Sequence, residues 1–346
     1  MRTCEVAVIG LGLMGSAALH ALVRRGADVI GFDPLVVGEA RGSSHGSCRI
    51  YRRFNFENDA YTELSDAAFA GWRALEAESG KTLLRPSRVL EAGPPGSKMV
   101  ASSRAAARRK GTITGPTNGA EANAAFPAFR LPDNWDVVVQ ESGGILMAEA
   151  ALRAFREGAA GRIIRASAQM QRTRDGIRIT TQSEEVMAAK VIVAAGPWIA
   201  PFVPGLKRHL KVTRQVVGWF APARPETVRY GEFPIFLVEG RRGMVYGFPD
   251  FEGRGVKAAC HAHGPIAGDD EWHKLPDDRE LDVVSATLAE FLPGAAGPIT
   301  ERDVCLSTNT LKADVRDVYG DACIIERLLE STWVNLLRYD PAPARA

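Results

Sequence analysis

Gly10, Gly12 and Gly15 stand in a G-x-G-x-x-G spacing, and the residue types around them could hold a dinucleotide. Gly10 permits a tight turn, Gly12 lets a pyrophosphate approach the backbone, and Gly15 lets a helix pack close to the preceding strand. Bare amides at the helix start, around Met14, would face the phosphates. Asp33, about twenty residues further on, is placed to accept hydrogen bonds from a ribose. Soon after it, Ala40-Arg41-Gly42-Ser43-Ser44-His45-Gly46-Ser47 is a loop of small residues and donors leading to Arg49 and Arg52. Serine hydroxyls and a pliable glycine backbone suit close contact with an anionic cofactor. Arg49 and Arg52, three apart, would share one face if that stretch is helical. A further stretch, Val191 to Trp198, is an apolar run closing on Ala194-Ala195-Gly196-Pro197-Trp198. That is what a buried parallel strand needs where its end meets a cofactor.

These groups need a frame to hold them. Val6 to Ile9 reads as a strand, Ser16 to Arg25 as a helix and Asp28 to Phe32 as a second strand, a βαβ unit closed by Asp33. Tyr61 to Glu78 reads as a helix with Tyr61, Leu64, Ala68, Trp72 and Leu75 on its core stripe. Leu83 to Ala92 is a strand interrupted at Pro86, and residues 100–125 form a surface helix and loop. Trp135 to Gln140, Arg162 to Ala166 and Gly176 to Thr181 read as strands, with a helix from Met147 to Arg156. From Val212 the character changes to short strands rich in Val, Phe and Tyr, then an amphipathic helix, Leu281 to Phe291, and a strand from Val304 to Thr310. The expected fold is α/β, a Rossmann-like βαβ domain with an α+β second layer. That layer is an interleaved substrate domain on a mixed, largely antiparallel sheet. Segments 1–85, 145–210 and 305–346 are assigned to the dinucleotide domain, and 86–144 and 211–304 to the substrate domain.

Composition narrows the function classes. The 346 residues allow a large core, and 46% hydrophobic with 24% charged residues is ordinary for a globular protein. A net charge of +2, with no basic stretch interleaved with aromatics, argues against a nucleic-acid partner. No run of 18 apolar residues indicates a membrane span, and the first strand occupies the place of a leader. Five cysteines without C-x-x-C spacing fit a reducing cytoplasm. His261 and His263 lack a ligand set around them, so no metal is expected. The glycine motif alone leaves NAD, NADP and FAD open.

Seven segments in order then resemble one family. They are Gly10 to Gly15; Gly42-Ser43-Ser44-His45-Gly46 with Arg49 and Arg52; Val191 to Trp198; Arg214 to Gly218; Tyr246-Gly247-Phe248-Pro249; Lys257 with His261; and Cys305 with Thr308-Asn309-Thr310. The family is the flavin-dependent amine oxidases typified by monomeric sarcosine oxidase and N-methyltryptophan oxidase, within the glycine/D-amino-acid oxidase group. The resemblance implies FAD, with Cys305 forming a thioether to the flavin. Met14, Arg41, Ser43, Ser44, His45, Gly196 and Trp198 would join Gly10, Gly12, Gly15 and Asp33 around the cofactor. Arg52 would grip a substrate carboxylate, a task for a planar bidentate fork. Tyr246 and His261 would line the substrate cavity. Lys257 would stabilise the negative charge that develops on oxygen, and Arg49 would favour the anionic reduced ring. The implied reaction takes a hydride equivalent from sarcosine, or another N-methyl or cyclic imino acid, to the flavin and on to O2 as H2O2. It is carried out by a cytoplasmic monomer.

The departures lie at the carboxyl end. The family's glycine- and histidine-rich loop, with a lysine near the substrate carboxylate, has no counterpart between Leu311 and Ala346, and the ending reads as divergent and shortened. Ile324-Ile325 matches the family's next strand. The position two after Cys305, aromatic in the family, is Ser307. This ending opens a second reading, a flavin-binding relative impaired in catalysis. An NAD(P)-dependent dehydrogenase is a third, and it gives Cys305 no task.

Overall fold

The computed structural model describes residues 1–39, 42–56, 59–110, 112, 115–261, 264–267, 274–310 and 338–339. The strand Arg2–Ile9 is central in the first sheet, a seven-stranded one. It pairs in parallel with Val29–Phe32 on one side and Glu185–Val193 on the other. Val6 to Ile9 are all buried, which is why this run is apolar throughout instead of alternating. Ile163–Ile164 extends the parallel edge. Beyond Glu185–Val193 the sheet turns antiparallel, through Gly176–Thr180 and Gln169–Thr173. Arg338–Tyr339 runs antiparallel beside Val191 and Ile192. The helix Leu13–Arg24 connects the first two strands and packs against the helix Ala148–Glu157.

The second sheet also has seven strands. Their order is Ile299–Thr310, Leu210–Phe220, Val256–Cys260, Gly243–Gly247, Ile235–Gly240, Val89–Gly93 and Asp136–Gln140. Every pairing is antiparallel except that of Ile235–Gly240 with Val89–Gly93. Strand alternation divides its residues between two faces. One face carries Leu90, Val137, Phe220, Phe236, Val245 and Ala258, packed under Val284, Leu288 and Phe291 of the helix Asp282–Phe291. The opposite face carries the residues of the candidate site. Reading across the register, Asp303, Val217, Ala259, Tyr246, Leu237 and Glu91 form one row. Trp219 and Lys257 lie in the next row, and Cys305 and Gln215 are paired on the other side.

A small third sheet, Cys48–Tyr51, Gly144–Met147 and Leu84–Pro86, covers part of that face. Its Cys48, Ile50 and Ile145 pack on Val89, Val138, Ile235 and Leu237. The site therefore sits between this cover and the unhidden remainder of the sheet.

Two local expectations differ from the fold, and a further strand stands where the sequence predicts none. Cys48–Tyr51 is a strand, so Arg49 and Arg52 do not share a helical face. The helix Asp59–Ser79 buries Ala68, Trp72 and Leu75 but turns Leu64 outward, with Thr62 and Ser65 taking the inner positions. Gln169–Thr173 is a strand without an apolar face, because it is a mostly exposed edge. The segment 311–337, with Ile324-Ile325, lies outside the described residues, as do Arg41 and His263.

Candidate cofactor and substrate site

The turn after Arg2–Ile9 explains its glycines individually. Gly10 has φ +86°, and a Cβ there would lie 2.6 Å from the Ala194 carbonyl oxygen. A Cβ on Gly15 would lie 1.9 Å from the Gly10 carbonyl oxygen, so the helix could not approach the strand as it does. Gly12 is different. Among the described residues its Cβ would meet Ser44 alone, with Oγ at 3.1 Å. The helix Leu13–Arg24 has no acid in its first turn, so its positive end is undiminished. Ser44 Oγ accepts the Leu13 N–H at 2.9 Å. A bare backbone at Gly12, an unscreened helix end and a hydroxyl together fit a dinucleotide diphosphate.

Asp33 is anchored by the chain itself. Its Oδ2 accepts the Leu11 N–H at 2.6 Å and stands 3.3 Å from Arg156 Nη2, while Oδ1 accepts the Leu35 N–H at 2.8 Å. Carboxylate oxygens accept more than one hydrogen bond, so a ribose hydroxyl is compatible with this arrangement. Arg156 also donates to the Leu11 and Leu35 carbonyls, at 3.2 and 2.9 Å. Burial pulls its guanidinium below its ordinary pKa, and Asp33 opposes that pull. Gly196, at φ +53°, opens a single 3-10 turn that ends at Trp198, whose ring would stand 3.4 Å from a Cβ on Gly42.

The loop after Gly42 ties this end to the second sheet. Ser43 Oγ donates to the Leu306 carbonyl at 3.0 Å, and His45 Nε2 pairs with Asp303 Oδ2 at 2.7 Å. Arg49 is folded into the same loop, donating to the carbonyls of Ser43, His45 and Cys48 at 2.7, 2.5 and 2.7 Å. Gly46 sits between two cations: a Cβ there would be 3.6 Å from Arg49 Nη1 and 3.9 Å from Lys257 Nζ.

Beneath this loop lies a cavity of about 130 Å³, lined by Ser43, His45, Arg49, Arg52, Tyr246, Lys257, His261 and Cys305 among others. Lys257 is buried, with Nζ 3.5 Å from Cys48 Sγ and 5.1 and 5.5 Å from the ring centres of Trp219 and Phe248. Its charge is thus held by aromatic faces and a thiol. Arg52 stacks 4.7 Å over Phe56, which meets His261 edge-on at 6.0 Å; His261 in turn lies 6.5 Å from Tyr246. Cys305 lines the cavity and is partly buried. Burial pushes its thiol up, aided by Asp303, while Arg49 and Lys257 pull it down.

Apart from Arg41, the residues singled out in the sequence fall into two places. Gly10, Gly12, Met14, Gly15, Asp33, Ser44, Gly196 and Trp198 border the glycine turn. Ser43, His45, Arg49, Arg52, Tyr246, Lys257, His261 and Cys305 meet at the cavity. Sequence reasoning missed Arg156, Asp303, Glu91 and Gln140. A single acid within the otherwise apolar Val89-Leu90-Glu91-Ala92, and the alternating Asp303, Cys305 and Ser307, are the signals that could have found some of them.

A family model described as FAD dependent oxidoreductase (DAO) matches residues 5–335. The chain is 31% identical over 322 residues to monomeric sarcosine oxidase from Bacillus sp. (strain B-0618), covering 89% of this chain and 81% of that one. It is 28% identical over 302 residues to N-methyl-L-tryptophan oxidase from Yersinia pestis (strain Pestoides F), covering 84% and 79%. Among solved structures, the open form of NikD, an unusual amino acid oxidase essential for nikkomycin biosynthesis, superposes with TM-score 0.77 at 20% identity, covering 92% of this chain and 86% of that one. Iminodiacetate oxidase from Chelativorans sp. BNC1 gives TM-score 0.69 at 17% identity, covering 89% and 85%. The glycine turn, the sheet behind it and a match running through nearly the whole chain have one explanation: the protein belongs to the DAO family of FAD-dependent oxidoreductases.

Proposed function

We propose that this protein is an FAD-dependent oxidase of secondary-amine amino acids, such as sarcosine, other N-methyl amino acids or cyclic imino acids. The observation that carries the reading is the pair of cation groups at the cavity. Lys257 and Arg49 stand beside Gly46, and Arg52 stacks on Phe56, which meets His261 next to Tyr246. Bound FAD supplies the acceptor for a hydride equivalent and passes the electrons to O2, giving H2O2. In this reading the turn at Gly10, Gly12, Met14 and Gly15, with Asp33, Ser44, Gly196 and Trp198, holds the ADP half. Ser43, His45 and Arg49 hold the flavin half.

Arg52 takes the substrate carboxylate, and its buried position makes that contact stronger than it would be in water. His261 and Tyr246 form the wall that orients the amine. Lys257 stabilises negative charge developing on oxygen, as a fixed cation that needs no reorganisation at the moment of reaction. Cys305 would hold the cofactor covalently through its sulfur, the thiol proton and one hydrogen of a ring substituent being lost as two electrons pass through the flavin to O2. Because burial raises its thiol, attachment accelerates as pH rises and more thiolate forms. The name of the Bacillus relative supports reading the protein as a monomer.

Acid precipitation of the purified protein tests cofactor and tether together. Yellow colour is expected to stay with the pellet in the parent and to leave it in Cys305→Ala. Peroxide release on adding sarcosine or proline tests the reaction. Colourless protein that takes up no FAD on refolding would overturn the reading.

A further inference from the structure

Behind Arg52 lies a polar group that this reaction scheme does not use. Arg52 is 2% exposed and Glu91 is 0% exposed. Arg52 Nη1 and Glu91 Oε1 stand 3.9 Å apart, a distance for coulombic attraction and not for a hydrogen bond. Glu91 is itself fixed. Gln140 Nε2 donates to Glu91 Oε1 at 3.0 Å and to the Phe54 carbonyl at 3.0 Å. Gln140 Oε1 accepts the N–H groups of Arg53 and Phe54 at 3.1 and 3.0 Å. One fully buried amide therefore joins the carboxylate to the backbone that immediately follows Arg52.

The placement has a chemical consequence. Arg52 and Leu237 line the cavity, whereas Glu91, paired with Leu237 on the same sheet face, meets Arg52 from outside the cavity lining. A carboxylate entering the cavity and the Glu91 carboxylate would share one cation. Glu91 offsets part of the charge on a nearly dry guanidinium whenever the site is empty. With that offset removed, the guanidinium would bind a small anion more tightly.

We propose that Glu91, held by Gln140, is a positioning and affinity-setting residue for Arg52. It keeps the guanidinium oriented in the empty site and weakens its hold on a lone carboxylate, so firm binding requires a second contact at the amine end. The inference rests on the carboxylate-binding role given to Arg52 above and deepens it into a rule of selectivity, amino acids over simple carboxylic acids.

The test uses the purified flavin-containing protein with 2-furoate, a carboxylate without an amine, titrated by calorimetry. Glu91→Gln keeps the shape and removes the charge; it is expected to tighten 2-furoate binding about tenfold. Its thermal midpoint without ligand falls, and the rise on adding 2-furoate grows. Glu91→Asp keeps the charge but draws it back by one methylene, giving a gain of about threefold as a milder change if Glu91→Gln folds poorly. A merely structural Glu91 would lower the midpoint and leave the dissociation constant of the folded protein unchanged. If both Glu91 variants bind 2-furoate as the parent does while Arg52→Met loses it, the inference is overturned alone. If Arg52→Met binds 2-furoate normally, the carboxylate role of Arg52 falls, and the inference with it.

Discussion

The glycine turn and the cavity face of the second sheet are built by opposite means. At the turn, backbone sets the shape: Gly10, Gly12 and Gly15 are defined by what a Cβ would strike or leave open. At the cavity, backbone is a lattice and side chains form the surface, delivered by strands whose sequence positions run from 91 to 305. The contrast teaches where each region is fragile. Changes at the turn should disturb folding and cofactor retention, whereas changes on the cavity face should alter rates in a protein that still folds.

Lys257→Met puts the largest strain on this contrast. The unbranched apolar chain can lie between Trp219 and Phe248, so stability should hold. Reoxidation of the reduced protein by O2, followed by stopped flow, should slow about 10²- to 10³-fold, the scale for removing one preorganised charge-stabilising group. Loss of flavin instead of rate would erase the distinction between the two regions.

Gly15→Ala probes the other side. Its Cβ would fall 1.9 Å from the Gly10 carbonyl oxygen, and the helix must move to admit it. Overpacking of this kind costs about 1–3 kcal/mol, read as a lower urea midpoint. Flavin content after gel filtration should fall in parallel. A variant with parent-like stability and full flavin content would show that the turn tolerates side chains.

Ser44→Ala is the smallest of the three. It removes the hydroxyl that accepts the Leu13 N–H at the helix start, worth about 1 kcal/mol by analogy with other helix caps. FAD affinity should weaken modestly while kcat for bound enzyme stays unchanged. A large drop in kcat would move Ser44 from one region to the other.

Legibility in the sequence followed the same division. The turn was readable because its constraints are local, with glycine spacing, strand, helix and Asp33 inside one stretch. The cavity's principal residues became visible through the resemblance, since no local pattern links Arg52, Tyr246, Lys257 and Cys305. The polar loop around Arg49 and Arg52 carries no clear period, so its sequence leaves a helical face open; pairing with Gly144–Met147, a partner distant in sequence, makes Cys48–Tyr51 a strand. Glu91 shows in the sequence as a lone acid in an apolar run, but its link to Arg52 and Gln140 does not. Their significance lies in adjacency across strands, and a single buried charge in an apolar run leaves no periodic trace.

The bond from Ser43 to the Leu306 carbonyl bears on how the molecule comes into being. It spans most of the chain, as does the pairing of His45 with Asp303. On a ribosome the first sheet can pair Arg2–Ile9 with Glu185–Val193 well before Ile299–Thr310 has been synthesised. The loop that carries Ser43 and His45 must wait for that late strand, and contacts of such long sequence separation form slowly. A nascent chain therefore acquires the means to grip a nucleotide long before it acquires a closed redox chamber. In the reading proposed above, cofactor arriving early would meet half a site, and the order of synthesis itself defers redox chemistry to the finished protein.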